Sequence, residues 1–131
     1  MSILKLLIIL ITVSIIMYAF TPNTEVSFAA KALGANTTAL SLIDECDDKF
    51  NISATQKEQS IHFVNVGLQH NKDYFIAAGK KEMIQHAYDN TESQLEANRH
   101  LLDKFKCENL VKSIIRDKGI AEGNAIRDYY K

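Results

Sequence analysis

The chain has 131 residues and a formal net charge of −1, with no basic or acidic block beyond the pair Lys80-Lys81. Such a balance excludes a nucleic-acid footprint, which needs concentrated positive charge. One proline, five glycines and no tryptophan favour helices over a turn-rich β-sandwich.

Leu6 to Phe20 read LLIILITVSIIMYAF, an uncharged run preceded by Lys5. That is the layout of a secretory signal peptide. The run is short of the about 20 residues of a membrane span, and Pro22-Asn23 ends it. Ser27-Phe28-Ala29 puts small residues at both recognition positions of a cleavage site, leaving Ala30 as the new N-terminus. Phe28-Ala29-Ala30 is poorer, because Phe occupies the first of them. The distance from Phe20 to Ala29 is long for a cleaved leader, so an uncleaved membrane anchor is the alternative. No Cys lies near the run, so a lipoprotein anchor is not indicated. The expected organisation is a leader over 1–29 and one helical domain over 30–131, exported to the periplasm or outside the cell.

Roughly 100 residues then remain, enough for one domain. Export and small size favour a covalent staple, and the pairing expected is Cys46–Cys107. A loop of that length is worth about 4 kcal/mol in the chain-entropy model. The alternative is two separate buried thiols. Neither Cys has a CxxC partner, so a redox motif or zinc knuckle is not supported.

The first helix is expected over 36–50, where Leu40, Ile43, Cys46 and Phe50 form one apolar stripe. Asn36, Thr37 or Thr38 would cap it, and Asp44, Glu45, Asp47 and Asp48 fill the outer face. After Asn51-Ile52-Ser53 a second helix starts, with capping-box spacings Ser53-x-x-Gln56 and Thr55-x-x-Glu58. Ile61, Phe63, Val64, Val66 and Leu68 spread round it, which predicts the most buried element. Gly67 within it costs about 1 kcal/mol against Ala and suits close approach of another backbone. A third helix is predicted over about 72–89, from Tyr74, Phe75, Ile76, Ala77, Met83, Ile84, Ala87 and Tyr88.

Asp89-Asn90-Thr91 reads as the next boundary, with capping spacings to Glu92 and Gln94. Leu95, Leu101, Leu102 and Phe105 then share a face, whereas Cys107, Leu110, Val111 and Ile114 lie nearly opposite. The change of phase predicts a break near Lys106. Lys118-Gly119 reads as a helix stop, the Gly able to take positive φ. The tail over 120–131 carries Arg127, Tyr129 and Tyr130, residue types enriched at interfaces. The sum is an all-α bundle of four or five short helices with antiparallel neighbours.

Three pairs, Glu58–His62, Glu82–His86 and Glu96–His100, have the spacing that places both side chains on one helix face. They suit an interhelical metal site or weak local helix support. Helical di-iron sites use a spacing of three rather than four. His70 has no such partner. Haem would need Met83 with His62 or His100, and no CxxCH attachment motif occurs. Ser41, Ser53, Ser60, Ser93 and Ser113 lie in no Gly-x-Ser-x-Gly elbow. No catalytic residue, metal ligand or cofactor is therefore assigned, and enzyme activity is not expected. Two sequons, Asn36-Thr37-Thr38 and Asn51-Ile52-Ser53, would accept glycans in a eukaryotic secretory pathway. The expected role is a protein-binding or inhibitory, immunity-type module. The alternatives are a metal or small-ligand carrier using the Glu/His pairs, and a membrane-anchored structural protein.

Overall fold

A computed structural model describes residues 24–120. Four helices follow one another: α1 over Thr24–Phe50, α2 over Ala54–Ala77, α3 over Glu82–Asn98 and α4 over Lys104–Asp117, with a 3₁₀ turn at Arg99–Leu101 before α4. There is no strand among the described residues. The all-α bundle expected from composition and periodicity is the observed architecture. The apolar run over 6–20 and the tail residues Arg127, Tyr129 and Tyr130 lie outside the described residues.

The central element is α1, not α2 as the spread of apolar residues suggested. Both α2 and α3 lean on α1 and scarcely touch each other, while α4 packs on α2 and α1. From Ala29 to Ala39 every residue of α1 except the half-buried Lys31 is buried. This stretch, AAKALGANTTA, is rich in small side chains, which lets neighbouring helices approach from several sides. On α2, by contrast, Val66 faces out, and the buried stripe is Ser60, Val64, Gly67, Leu68, Asn71 and Phe75.

Contact pairs fix the directions. Asp47 meets Lys57 and Asn36 meets Asn71, so α2 runs back along α1. Thr37 meets Thr91 and Glu45 meets Arg99, so α3 runs parallel to α1. The order is up-and-down over these three helices.

Two apolar clusters fill the interior. One surrounds the disulfide and gathers Leu42, Ile43, Val64, Leu95, Leu110, Val111 and Ile114. The other lies towards the start of α1 and gathers Val26, Ala29, Ala30, Leu33, Leu68, Phe75 and Ala87. Fully burying one such Leu or Phe contributes about 1.5–3 kcal/mol.

Several boundaries differ from those expected. Asn36, Thr37 and Thr38 do not cap a helix; they sit inside α1, buried. The Thr37 and Thr38 hydroxyls donate to the Gly34 carbonyl oxygen at 3.1 and 2.7 Å, the back-bonding open to a mid-helix Ser or Thr. No helix crosses Gly79. Instead α2 ends there, with Gly79 at φ 71°, its N–H donating to Ile76 O and the Lys80 N–H to Phe75 O. That is a Schellman stop, which needs a left-handed residue at Gly79. Thr91 is no boundary but a fully buried mid-helix residue of α3.

The break before α4 is real but falls at 99–103 rather than at Lys106. Asp103 caps α4, its Oδ1 accepting from the Lys106 N–H at 2.8 Å. Ser53 caps α2 as its spacing predicted, accepting from Gln56 N–H. Thr55 lies inside the first turn of α2, so the second capping box is not used.

Candidate functional site

The richest arrangement of charged and reactive groups lies at the disulfide end, where α1 finishes, α2 starts and the 3₁₀ turn leads into α4. Cys46 projects inward because it continues the stripe of Ile43. Cys107 does so because α4 begins a new phase at Asp103. The Cys46–Cys107 bond is formed, with Cα atoms 5.5 Å apart and both residues fully buried.

Charges surround this staple. Arg99 Nε lies 2.9 Å from Glu45 Oε1. Lys49 Nζ donates to the Arg99 carbonyl oxygen at 3.2 Å and sits 3.9 Å from Glu45. Together they tie the end of α1 to the 3₁₀ turn. Lys57 of α2 donates to Asp47 Oδ2 at 2.7 Å, with Asp44 3.9 Å away. Its pKa is raised, first by that hydrogen bond, with burial opposing it and the charges of Asp47, Asp44 and Asp48 adding to it. Lys106, nearly buried, donates to Leu101 O at 3.0 Å and pairs with Asp103 at 3.2 Å. The Asp103 carboxyl is held below its usual range, chiefly by the Lys106 backbone N–H. Part-exposed pairs of this kind add little stability singly, but they fix side-chain positions.

Beside them stands Phe105, 74% exposed on the first turn of α4. The face it was expected to share with Leu95 does not exist, because the chain breaks between them. An aromatic ring two residues from a disulfide is displayed on a backbone that cannot drift far.

Comparison with protein-family models, with curated proteins and with solved structures found no match. The reading of this surface therefore rests on its own geometry.

The Glu/His pairs are not brought together. Glu58, His62, Glu82, His86, Glu96 and His100 are all exposed, as is His70, and they are distributed over α2, α3 and the 3₁₀ turn. Among the described residues, no three His, Cys, Asp or Glu side chains are placed to hold a metal. Met83 is half-buried and packs against the second apolar cluster. The two sequons part company. Asn36 is 1% exposed, whereas Asn51 is exposed in the α1–α2 turn at φ 54°.

Sequence reasoning missed a polar layer inside the bundle. The Asn36 and Asn71 amides face each other at 2.7 Å. Hydrogen bonding is best satisfied with the Asn71 nitrogen turned to the carbonyl oxygens of Ala32 and Gly67, each 3.2 Å away. The Thr91 hydroxyl lies 2.9 Å from that of Thr37 and 3.2 Å from that of Thr38. A signal for it existed. Asn71 stands midway between Gly67 and Phe75 on one stripe, and Thr91 midway between Ala87 and Leu95, each four residues from its neighbours.

Proposed function

We propose that the protein is an exported binding module, of inhibitory or immunity type, that engages another protein through its disulfide end, with Phe105 as the anchor. The observation that carries this is the exposed Phe105 ring on a turn pinned by Cys107 and capped by Asp103. Interface hot spots combine an apolar anchor with a polar rim, and the ion pairs of Glu45, Arg99, Lys49 and Lys57 lie at the same end of the bundle. A rigid surface also loses less conformational freedom on binding. The disulfide accords with an oxidising, exported setting.

The test is affinity capture from periplasmic and culture extracts of the source cells, with wild type and Phe105→Ala compared. Wild type is expected to retain a defined partner that the variant loses by at least about tenfold in affinity, which is about 1.4 kcal/mol. A partner held equally by both proteins rejects this surface. No partner at all rejects the binding role.

A further inference from the structure

We infer that Val26 to Ala29 belong to the mature folded domain, so that any removal of the leader takes place upstream of Val26 and not after Ala29. The inference rests on the export reading above but not on the partner or on Phe105.

Three observations meet here. First, α1 is one uninterrupted helix over Thr24–Phe50, and it passes straight through the triplet Ser27-Phe28-Ala29. Second, the residues on either side of that point are core. Val26 is 5% exposed and Ala29, Ala30, Ala32 and Leu33 are at 0%. They pack with Leu68 and Phe75 of α2 and Ala87 of α3 into the second apolar cluster.

Third, every triplet between residues 15 and 34 with Ala, Gly or Ser at both recognition positions falls inside this stretch. These are Ser27-Phe28-Ala29, Ala30-Lys31-Ala32 and Ala32-Leu33-Gly34. No such triplet lies between the end of the apolar run and Ser27.

Cutting after Ala29 would do two kinds of damage. It would remove Val26 and Ala29 from the second cluster, leaving Leu68, Phe75 and Ala87 short of partners. It would also create a charged ammonium on Ala30, a position that is fully buried in the intact helix, and an unpaired buried charge is strongly disfavoured. Cuts after Ala32 or Gly34 strip more of the same cluster. The most buried helix therefore includes residues that the leader pattern alone would discard.

The test uses the full-length gene with its own leader, expressed in an exporting host. The intact mass of the purified protein and its melting temperature are measured for wild type and for Val26→Asp. Expected is an N-terminus at or before Val26, with the full-length chain as the leading species, and a Val26→Asp protein that melts more than about 5 °C below wild type. An N-terminus after Val26 in folded, disulfide-bonded protein overturns the inference. So does a Val26→Asp protein that melts with wild type, because residue 26 is then absent from the fold or idle in it. Cell fractionation and thiol titration on the same samples report export separately. A cytosolic protein with free sulfurs would reject the export reading, while the Val26→Asp comparison would still decide whether the segment is core.

Discussion

The hydroxyls of Thr37 and Thr91, on parallel helices and far apart in sequence, meet 2.9 Å from each other at full burial. Along α3, Thr91 stands between Ala87 of one apolar cluster and Leu95 of the other, and the Asn36–Asn71 pair extends the polar groups to α2. A buried polar group costs stability unless it is bonded, and the penalty falls on whichever partner is left alone. The two halves of the layer differ in this respect. Thr37 and Thr38 each keep the Gly34 carbonyl as a partner without Thr91, so Thr91→Val should change stability by less than about 1 kcal/mol. Asn71→Ala removes the partner amide and leaves a void beside Gly67 and Ala32, and should cost about 2–3 kcal/mol. Urea unfolding of the oxidised proteins checks the order. A Thr91→Val cost above that of Asn71→Ala would show that the layer works differently.

The staple ties positions separated by 61 residues in sequence. Closing so long a loop in the unfolded chain is worth about 4 kcal/mol in the chain-entropy model. The paired variant Cys46→Ala, Cys107→Ala should lose most of that and leave a cavity where two fully buried sulfurs stood. Because both sulfurs are buried, dithiothreitol should act on the native protein only as fast as it opens. Reduction should therefore speed up in step with the unfolding equilibrium as urea is added. Rapid reduction without denaturant would contradict the burial of Cys46 and Cys107.

What could be read from the chain divides along physical lines. The Cys46–Cys107 bond was legible because two cysteines allow one intrachain pairing, and the Cys46 stripe already pointed inward. The stop at Lys118-Gly119 and the cap at Ser53 were legible because each is a local motif of a few residues. The extent of α1 was not, because a buried helix made of Ala, Gly and Thr has little apolar contrast between its faces. Asn36 to Thr38 have the composition of a helix start, and only tertiary contacts make them mid-helix. The stop at Gly79 is hidden in the sequence because the apolar residues before and after it keep helical spacing across the turn. Phe105 shares a face with Leu95 in the sequence pattern for a related reason: periodicity drawn across a break assigns the wrong side. The three Glu/His pairs had the right spacing, but spacing within an element says nothing about whether elements bring pairs together.

The end of α4 holds a correctable strain. Both residues of the stop take positive φ, Gly119 at 131° as its sequence suggested and Lys118 at 55°, with the Gly119 N–H donating to Ile114 O at 2.8 Å. For a residue with a Cβ the left-handed conformation of Lys118 costs roughly 1 kcal/mol, and Gly is the usual solution. Lys118→Gly should therefore stabilise the protein by up to about 1 kcal/mol, less what glycine adds to the freedom of the unfolded chain. Lys118→Val should destabilise it, since a β-branched residue fits that conformation worst. Thermal melts of the two variants should bracket wild type. A Gly variant below wild type would mean that the stop is held by something other than backbone shape.

The pH profile should be flat in the middle and fall at both ends, for separate reasons. Asp103 has a folded pKa below its ordinary 3.8, chiefly because the Lys106 backbone N–H bonds the charged form. Its contribution is present above pH 3.8 and is lost as pH falls through that value towards the folded one. Lys57 has a folded pKa above its ordinary 10.5, chiefly through the hydrogen bond to Asp47. Its contribution is present below pH 10.5 and is lost as pH rises through the folded value. Asp103→Asn keeps an acceptor for the cap but carries no titrating charge, so its acid limb should be shallower than wild type while its alkaline limb is unchanged. Lys57→Met should flatten the alkaline limb alone. Melting temperatures from pH 2 to 12 check both variants. If Asp103→Asn followed the wild-type acid limb throughout, the acid sensitivity would belong to other carboxylates and the cap would not be its source.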